Sequence, residues 1–589
     1  MKAIVLVKQV PHPPAIEFDE DTMALRREGV PLVLNPFDRE AVAVAAGIAD
    51  EVVAMTMGPP HAEVALRECI AVGATRGIHL TDRIFALADT LGTSRTLALA
   101  IEKEGADVVL CGRKTIDSET WQVPPEVAAF LGWPHVTGVT AIAVAGSVLR
   151  VTRETDSGED IYEVEPPLVI SVARPRLDEA GPTDGEIVAW GASDLALDVR
   201  PDDKRFGQTG SPTRVLAVRD VTPDRARHRS ASAEDAAAMV RTLLPERARA
   251  ASEWDKPDDI AEQPGKRYDA WTWVELVRGR PSRHSLQLVA RGRLLAGKLG
   301  GQNVALVVGH EVGPAVDDLL RSGAERVVTV DDERLDGYHP ELWAAALRQV
   351  VQTRRPHVLL LPATADGRDL GPRVAGDLEL GMTGDCVGVD IAKAGRLLQQ
   401  KPAYGGNIVS VIMGATSPQL ATVRPGMYDR LTPADDAQGI VERFSLDELP
   451  EPRVRLVERL ERPGSQGFDL DAAETVVCVG PEVDGADAVA QIEAIAAEAG
   501  AVVGGTHEAC KRGWLPFTRE IGLYGRALAP SLLLAMGVSG EYWDVTGWVK
   551  AGVVVAVNRG VTASLHETAD VVLAAPWNQA LPTLLRAAR

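Results

Sequence analysis

The sequence predicts an α/β protein built from two pseudo-repeated, doubly wound parallel-sheet domains and a third α/β domain at the carboxyl end. Its 589 residues are too many for one hydrophobic core and suggest about three or four domains of roughly 150 residues each. Short apolar runs alternate with alanine-rich stretches of helical length in two successive parts of the chain. This alternation is typical of parallel sheets covered by helices on both faces.

The first predicted sheet domain occupies residues 1–200. Its predicted strands are residues 3–10, 52–57, 78–80 and 108–111, and its predicted helices are 39–48 and 63–72. Ligands of such sheets bind beyond the carboxyl ends of the strands. The segments expected there are 8–11, 57–59 and 111–117, with 35–38 on a connecting turn. Taken alone, they indicate either plain polar turns or a ligand site.

Residues 201–267 are predicted to be a linker, because Arg, Asp, Pro and Ser dominate and apolar periodicity is weak. One helix is expected around residues 233–244. The second sheet domain, residues 268–465, follows with predicted strands at 304–308, 327–330 and 358–362. It echoes the first domain, since residues 73–78 and 323–328 share a Gly-Ala start and an arginine before an apolar run. Two related domains packed as a pseudo-dimer are therefore expected.

The carboxyl-terminal domain, residues 466–589, has the pattern of a nucleotide-binding unit. Predicted strands at 475–480 and 553–558 enclose glycine turns at residues 504–507, 522–525 and 537–540. A glycine after a strand lets the backbone approach a ligand, and the N-terminus of a following helix offers N–H groups to phosphate.

Composition argues against several classes of function. The net charge of −21 disfavours nucleic acid and anionic membrane surfaces as partners, because these attract clustered Lys and Arg. No apolar run approaches the ~20 residues of a membrane span, so membrane insertion is not expected. The five cysteines are scattered and form no CxxC motif, which predicts neither a disulfide framework nor a thiolate metal site and favours a cytoplasmic protein.

The order of these motifs resembles the electron transfer flavoprotein family, with a beta-like half fused ahead of an alpha-like half. The beta-like resemblance lies in residues 34–38, 73–76, 116–123 and 131–134, and the alpha-like one in residues 367–373, 383–386, 401–407 and 421–426 and in the glycine turns. It implies an electron carrier that passes electrons through FAD from a dehydrogenase to a downstream acceptor. A covalent join makes the two halves a pseudo-heterodimer within one chain.

The resemblance implies that FAD binds in the carboxyl-terminal domain. The positions that keep the family's residues are Thr506, Gly522, Gly525, Gly537, Ser539, Gly540, Asn558 and Asp570. Arg424 either braces the fold or lies near the flavin.

Several other positions depart from the family. Glu482 stands in place of an arginine in the first glycine turn, and His507 replaces the arginine that lies over the isoalloxazine. Because histidine is mostly neutral at cytosolic pH whereas arginine is a permanent cation, we expect a lower one-electron potential or a stronger pH dependence. Tyr524 and Trp543 are also changes, and their rings would either stack on the cofactor or fill its pocket.

In the first half the resemblance implies a pocket for AMP or, in bifurcating members, for a second FAD. The positions assigned to it are Val7, Lys8, Asn35, Gly58, Asp117, Thr120, Gln122 and Val123. Trp121 stands where the family has a small or short polar residue. Since an indole there fills space that a second flavin needs, AMP or an empty pocket is favoured.

Two rival functions stay open at this point. One is a non-redox nucleotide-binding or scaffold protein that kept the fold and lost flavin, for which Glu482 is the best support. The other is a bifurcating flavoprotein that uses NADH, which Trp121 disfavours. Residues 174–182 are more polar than the segment with which the family docks onto acyl-CoA dehydrogenases, so a different partner is expected. Some fused relatives are associated with the redox cofactor mycofactocin, and the altered segment is compatible with such a donor.

Overall fold

The structure is a computed structural model that describes residues 1–12, 17–18, 25–26, 30–173, 180–195, 203–221, 223–254, 267–403, 406, 408–461, 470–560 and 563–588. These residues group into two compact units. The first unit comprises Met1–Val218, Ala261–Lys401 and Ser410–Arg462, and the second comprises Arg219–Ile260, Pro402–Val409 and Pro463–Arg589. The predicted linker is thus divided between the two units.

Among the described residues, the first half of the first unit contains fourteen strands and four α-helices. Two of these helices have a terminal residue that suits its position. Asp89 caps a helix by accepting a hydrogen bond from the Gly92 N–H, and Gly132 ends another in the left-handed region. The strands are β1 (Lys2–Leu6), β2 (Gln9–Pro11), β3 (Glu17–Phe18), β4 (Leu25–Arg26), β5 (Leu32–Leu34), β6 (Glu51–Met57), β7 (Arg76–Leu80), β8 (Val108–Gly112), β9 (His135–Ala145), β10 (Val148–Glu154), β11 (Gly158–Val164), β12 (Leu168–Val172), β13 (Ile187–Trp190) and β14 (Thr213–Asp220), and the helices are α1 (Pro36–Ile48), α2 (Glu63–Val72), α3 (Thr90–Glu104) and α4 (Val123–Leu131).

The predicted linker contributes one strand and one long helix to the second unit. These are β15 (His228–Ser230) and α5 (Ala233–Trp254). Ala236, Ala237 and Val240 of α5 are buried in the core of the second unit. This part of the linker is therefore a structural arm of that unit.

The second half of the first unit repeats the alternation of strands and helices. Its strands are β16 (Tyr268–Val274), β17 (Leu276–Val277), β18 (Arg280–Pro281), β19 (Gly300–Gly309), β20 (Arg326–Asp331), β21 (Val358–Pro362), β22 (Met382–Cys386), β23 (Gly388–Ile391), β24 (Leu397–Ala403), β25 (Ile408–Gly414), β26 (Gln419–Val423), β27 (Ile440–Arg443) and β28 (Val454–Glu461), and its helices are α6 (Arg283–Leu299), α7 (Gly313–Arg321), α8 (Pro340–Arg354) and α9 (Ala365–Asp377).

The two large sheets of the first unit have the same topology, which confirms the predicted pseudo-repeat. The first follows the order β13-β7-β6-β1-β8-β12-β9 and continues through β10, β11 and β28, and the second follows β27-β20-β19-β16-β21-β26-β22. The central strands are apolar and buried because helices cover both faces, as in β8, β12 and β21.

The two halves of this unit also exchange strands. Strand β28, from the end of the second half, pairs antiparallel with β11 of the first. Strand β14, from the end of the first half, joins the four-stranded sheet β14-β25-β24-β23. The reciprocal exchange makes the two halves one packed body.

The second unit is a six-stranded sheet with the order β15-β33-β32-β31-β29-β30, and its paired strands all run parallel. Its remaining strands are β29 (Thr475–Val479), β30 (Val502–Gly505), β31 (Leu532–Met536), β32 (Val553–Asn558) and β33 (Val571–Ala574), and its helices are α10 (Ala486–Glu498), α11 (His507–Lys511), α12 (Tyr542–Val545), α13 (Ala563–Thr568) and α14 (Trp577–Ala587). Across both units, none of the described helices is long and apolar enough to cross a lipid bilayer.

Candidate functional site

The strand order of the second unit places its candidate site at one edge of the sheet. Strand β29 has β30 on one side and β31 on the other, so the chain leaves it in opposite directions. A crevice forms beyond the carboxyl ends of parallel strands at such a reversal. We call this edge the cleft and define it by residues 504–507, 520–526 and 537–544 and by Asn558.

The glycines of the cleft are required by the packing of its turns. A Cβ on Gly480 would lie 2.3 Å from the Gly537 carbonyl oxygen, and Gly537 has a φ of +65°. The Glu482 N–H donates to the same carbonyl at 3.0 Å. At the neighbouring turn, Gly522 has a φ of +139° and its Cβ would meet the Trp543 carbonyl at 2.5 Å. These glycines let the turns pack onto one another and so shape the cleft.

Thr506 and His507 lie at the start of α11. The Thr506 hydroxyl caps this helix by accepting from the Ala509 N–H. The His507 Nδ1 lies 3.1 Å from the Glu520 Oε1. The side chain of Glu520 is fully buried, whereas 42% of the His507 side chain is exposed. Because a carboxylate only accepts hydrogen bonds, this contact orients the imidazole with Nδ1 toward the buried side.

A second carboxyl group lies in the cleft at Asp544. It is 8% exposed and accepts a hydrogen bond from the Ser539 hydroxyl at 3.1 Å. Burial raises the pKa of Asp544 to about 6, and the nearby carboxylates of Glu541 and Glu520 add to the rise. The cleft therefore contains a carboxyl group that titrates near neutral pH.

Aromatic side chains form a row along the cleft. The Tyr524 ring lies 5.1 Å from the His507 ring and 6.1 Å from the Trp543 ring, and Trp543 meets Tyr542 edge-on at 5.8 Å. All four side chains are half-buried. Partly exposed rings of this kind suit stacking with another planar group.

Asn558 ends β32 at the same edge. Its Nδ2 donates to the Val538 carbonyl at 2.6 Å. Its Oδ1 is buried and has no hydrogen-bond partner within the described part of the chain. A buried acceptor without a donor costs roughly 1–3 kcal/mol, so a hydroxyl-bearing ligand would stabilise this position.

The structure does not bring Asp570 to the cleft. Asp570 precedes β33 and therefore lies at the amino edge of the sheet, opposite the cleft. It is fully buried and pairs with Arg225 at 2.8 Å and with Arg247 at 3.2 Å, while the Val554 N–H donates to it at 2.9 Å. These contacts attach the arm to the sheet. This structural role explains the buried Asp570 carboxylate, and no ligand is needed to explain it.

The residues predicted for a nucleotide in the first half do meet at one edge. Val7 and Lys8 follow β1, and the Lys8 Nζ lies 2.6 Å from an Asp117 oxygen. Although burial opposes ionisation, the Lys8 ammonium and two hydroxyl groups lower the pKa of Asp117. The Asn35 Nδ2 donates to the Lys114 carbonyl at 3.0 Å, and Gly58 follows the neighbouring strand β6.

Thr120, Gln122 and Val123 lie where this edge meets the second half. Gln122 donates to the Met382 carbonyl at 3.1 Å, and Val123 is the first residue of α4. A Cβ on Gly384 would lie 2.3 Å from the Thr120 carbonyl oxygen. Their backbone and amide groups therefore join the two halves.

A buried network of charges surrounds Glu119, next to these residues. Lys114 Nζ and Arg424 Nη2 lie 3.0 and 3.2 Å from its carboxylate, and Lys401 donates to its carbonyl at 2.7 Å. Although burial opposes ionisation, these cations lower the pKa of Glu119 to about 2. Arg424 also pairs with Asp385 at 3.2 Å, so it braces the junction of the two halves.

Trp121 lies among cations in a left-handed backbone conformation, with a φ of +62°. The Arg368 guanidinium lies 4.5 Å from its ring centroid and the Arg113 guanidinium 5.3 Å. Its Nε1 is buried, and no described residue accepts a hydrogen bond from it. Sequence reasoning identified Trp121 but missed Glu119 and Glu520, because only the fold brings them to their partners.

The comparisons with known proteins agree with this geometry. The profile of the electron transfer flavoprotein domain matches residues 22–195 and 270–449, and that of the electron transfer flavoprotein FAD-binding domain matches residues 469–548. The chain belongs to the electron transfer flavoprotein family.

Relatives of both subunits of the family match this single chain. It is 32% identical to an electron transfer flavoprotein subunit alpha from Thermoanaerobacterium thermosaccharolyticum over 54% of this chain and 96% of the relative. It is 38% identical to the subunit beta of the same organism over 37% of this chain and 87% of the relative. A lactate dehydrogenase (NAD(+),ferredoxin) subunit LctC from Acetobacterium woodii is 29% identical over 53% of this chain and 75% of the relative. The chain is thus a fusion of beta-like and alpha-like parts.

As an electron transfer flavoprotein, the chain has an electron-transfer function and a domain for FAD. The cleft fits that cofactor in two respects, the buried acceptor of Asn558 and the half-buried aromatic row. Two predicted features lie outside the described residues. They are residues 174–179 of the altered docking segment, and Tyr404, Gly405 and Asn407 of the 401–407 motif.

Proposed function

We propose that this chain retains FAD in the cleft of its second unit and carries electrons from a partner dehydrogenase to a downstream acceptor. The observation that carries the proposal is the buried Asn558 Oδ1, an acceptor in the cleft without a donor. It supports a ligand with hydroxyl groups, as FAD has along its ribityl chain and ribose. The rival reading, a scaffold that lost flavin, leaves this atom unexplained.

Different residues of the cleft then contact different parts of the cofactor. Asn558 binds a hydroxyl group, and Tyr524 and Trp543 offer half-buried rings to a planar ring system. Gly537 and Gly522 keep the turns close enough to enclose it. Bound FAD supplies the redox chemistry, while the protein supplies position and electrostatics.

The absorbance spectrum of the purified protein tests this proposal. We expect flavin absorbance near one equivalent per chain and binding of added FAD by any flavin-free fraction. Asn558→Leu, which is similar in size and removes the acceptor, is expected to weaken FAD binding about tenfold. The matched control is Asn303→Leu, since Asn303 is a buried asparagine of the first unit. Absence of flavin, even with added FAD, would support the scaffold.

The first unit is proposed to bind AMP at the edge formed by Lys8, Asn35, Gly58 and Asp117. Next to this edge, four cations contact the two residues Glu119 and Asp385; they are Lys114, Lys401, Arg424 and Arg368. This excess of positive charge supports an anion such as phosphate. The buried Trp121 Nε1 supports a ligand that accepts a hydrogen bond.

Denaturation of the purified protein and mass analysis of the released nucleotides test the first unit. We expect AMP to be released. Two flavins per chain would instead support bifurcation. If FAD were the only nucleotide released, the pocket of the first unit would be empty. Trp121→Gly, which suits the left-handed backbone, is expected to admit a larger nucleotide.

A further inference from the structure

Three ionisable side chains from different elements converge in the cleft, and neither the family pattern nor the proposed function assigns them a joint role. They are His507 at the start of α11, Glu520 on the turn before Gly522, and Asp544 on α12. Glu520 and His507 are in direct contact. Asp544 follows Trp543, whose ring lies 6.1 Å from that of Tyr524, and Tyr524 lies 5.1 Å from the His507 ring. The Asp544 carboxylate accepts from the Ser539 hydroxyl.

The backbone of Glu520 is fixed by hydrogen bonds from both its N–H and its carbonyl group. Its N–H donates to the Phe517 carbonyl at 3.1 Å and its carbonyl accepts from the Arg526 N–H at 2.7 Å. Its backbone also forms an isolated parallel bridge with Gly505, beside β30. A buried carboxylate on a fixed backbone is suited to orienting a neighbouring side chain.

The contact with Glu520 determines which His507 nitrogen exchanges a proton. Since the carboxylate accepts only, Nδ1 carries the hydrogen that it donates at 3.1 Å. A proton that the ring gains or loses is then the one on Nε2.

We propose that His507, Glu520 and Asp544 act as one proton-linked unit, in which Glu520 positions the imidazole and the unit takes up protons when negative charge enters the cleft. The inference rests on the proposed function, because FAD supplies that negative charge. The electron comes from the donor of the established electron transfer. The proton comes from solvent and binds at His507 Nε2 or at the Asp544 carboxylate, so charge and atoms balance without a further reactant.

The two titrating groups change the charge of the cleft in the same direction. Histidine side chains ordinarily lose a positive charge as pH rises from about 5 to 8. Over the same range Asp544 gains a negative one, since burial raises its pKa to about 6. In the described part of the second unit, charged groups on the elements that carry or adjoin them include Glu541 on α12, Glu508 and Arg512 on α11, Arg519 and Arg526 on either side of Glu520, and Glu482, whose N–H donates to the Gly537 carbonyl. The linkage is reciprocal, so an anion that binds better at low pH also draws protons onto the unit.

The test measures the FAD dissociation constant of the flavin-free full-length protein between pH 5 and 8.5. We expect affinity to fall by about tenfold or more across this range in the wild type. Glu520→Gln and Asp544→Asn, which keep side-chain size, are each expected to reduce that change by at least half. Glu508→Gln is the matched control, because it removes a carboxylate beside His507 that pairs with Arg512. It should leave the pH dependence unchanged.

Two further readouts separate positioning from simple loss of packing. The pH dependence of the flavin midpoint potential should become shallower in both variants and stay unchanged in the control. Nitrogen NMR of His507 in the flavin-free protein should show Nε2 as the titrating nitrogen and a shifted titration midpoint in Glu520→Gln.

Equal pH dependence in the wild type, both variants and the control would overturn the proton-linked unit. Absence of FAD binding at every pH would instead overturn the proposed function. In that case the NMR titration decides on the unit alone: a His507 midpoint that moves in Glu520→Gln supports it, and an unmoved midpoint overturns it.

Discussion

The carboxyl edges of the two repeated sheets share one topology but differ in what fills them. In the first sheet, β1 and β8 end beside Lys8 and Asp117, and 45% of the Lys8 side chain is exposed. In the second, the equivalent strands β16 and β21 end beside Glu275 and Asp366. There the Arg153 side chain, contributed by β10 of the first half, pairs with Asp366 at 2.8 Å and is 1% exposed. The cation of the first edge reaches solvent, whereas the cation of the second is buried and belongs to the neighbouring half, so we call the first edge open and the second closed.

The difference teaches that side chains at the strand ends, rather than the fold, determine where a ligand can bind. Helix α9 begins at the closed edge, where its N-terminus would attract an anion. Thr364 caps that helix and the Asp366 carboxylate lies in its first turn, beside the Arg153 guanidinium. The anion at the second edge is thus paired with a buried cation from the other half, which makes this edge a structural contact between the two halves.

The largest expected effect comes from removing the residue that closes the second edge. Arg153→Met should lower the free energy of unfolding of the first unit by about 3–5 kcal/mol, because it removes the buried cation that pairs with the partly buried Asp366 carboxylate and donates to the Ala365 carbonyl. The Asp160 carboxylate keeps Arg459 at 2.8 Å. Urea unfolding at pH 7 measures this. Arg150→Met, on the exposed face of the same strand, is the control and should change stability by less than about 0.5 kcal/mol. Equal losses in the two variants would contradict the proposed role of Arg153.

The second prediction concerns pH, to which the two edges should respond with opposite signs. Burial raises the pKa of Glu275 at the closed edge, and the charges of Asp366 and Asp156 raise it further. A carboxyl group with a raised folded pKa stabilises the protein below its unfolded pKa, and this stability is lost as pH rises through the folded value. Asp117 has a lowered pKa, so its contribution is lost instead as pH falls below its unfolded value.

Glu275→Gln should therefore flatten the fall in unfolding free energy between about pH 5 and 8. The slope that it removes is at most about 1.4 kcal/mol per pH unit. Denaturant midpoints across this range measure the effect. Asp117→Asn is the matched comparison and should leave that slope unchanged, since its own effect lies at acid pH. If the unfolding free energy had the same slope against pH in Glu275→Gln and in the wild type, the proposed role of Glu275 would be contradicted.

Much of the fold follows from local sequence, but the contents of the edges do not. Apolar runs located most strands, and the shared Gly-Ala motif indicated the repeat. The predicted strand at 3–10 is split in the structure into β1 and β2, because Val7 and Lys8 leave the sheet at its carboxyl edge. Asp570 was assigned to the cofactor although it directly precedes the apolar run of β33. A residue in that position lies at the amino edge of a parallel sheet, away from the carboxyl edge where ligands bind.

Contacts between distant residues were beyond single-sequence reasoning. Arg153 meets Asp366 and Arg424 meets Glu119 only because the two halves pack together. Within the second unit, the pairing of His507 with Glu520 depends on the turn that returns Glu520 beside β30. The polar composition of the linker likewise concealed that α5 packs into the second unit, because only one face of that helix is apolar.

The smallest effect on stability is expected at the open edge, where Lys8 is compared with Arg153 of the closed edge. Lys8→Met should lower the unfolding free energy by only about 0–1 kcal/mol, because the Lys8 ammonium is partly hydrated and Asp117 keeps the hydroxyls of Thr115 and Ser118. If the first edge binds AMP, the same change should weaken AMP binding about tenfold, measured by calorimetric titration. The control is Lys2→Met, which removes a cation at the other end of β1 that pairs with Glu104. Lys8 would then contribute to AMP binding and little to stability, whereas Arg153 contributes to stability. If Lys8→Met lowered the unfolding free energy as much as Arg153→Met, the distinction between the two edges would be contradicted.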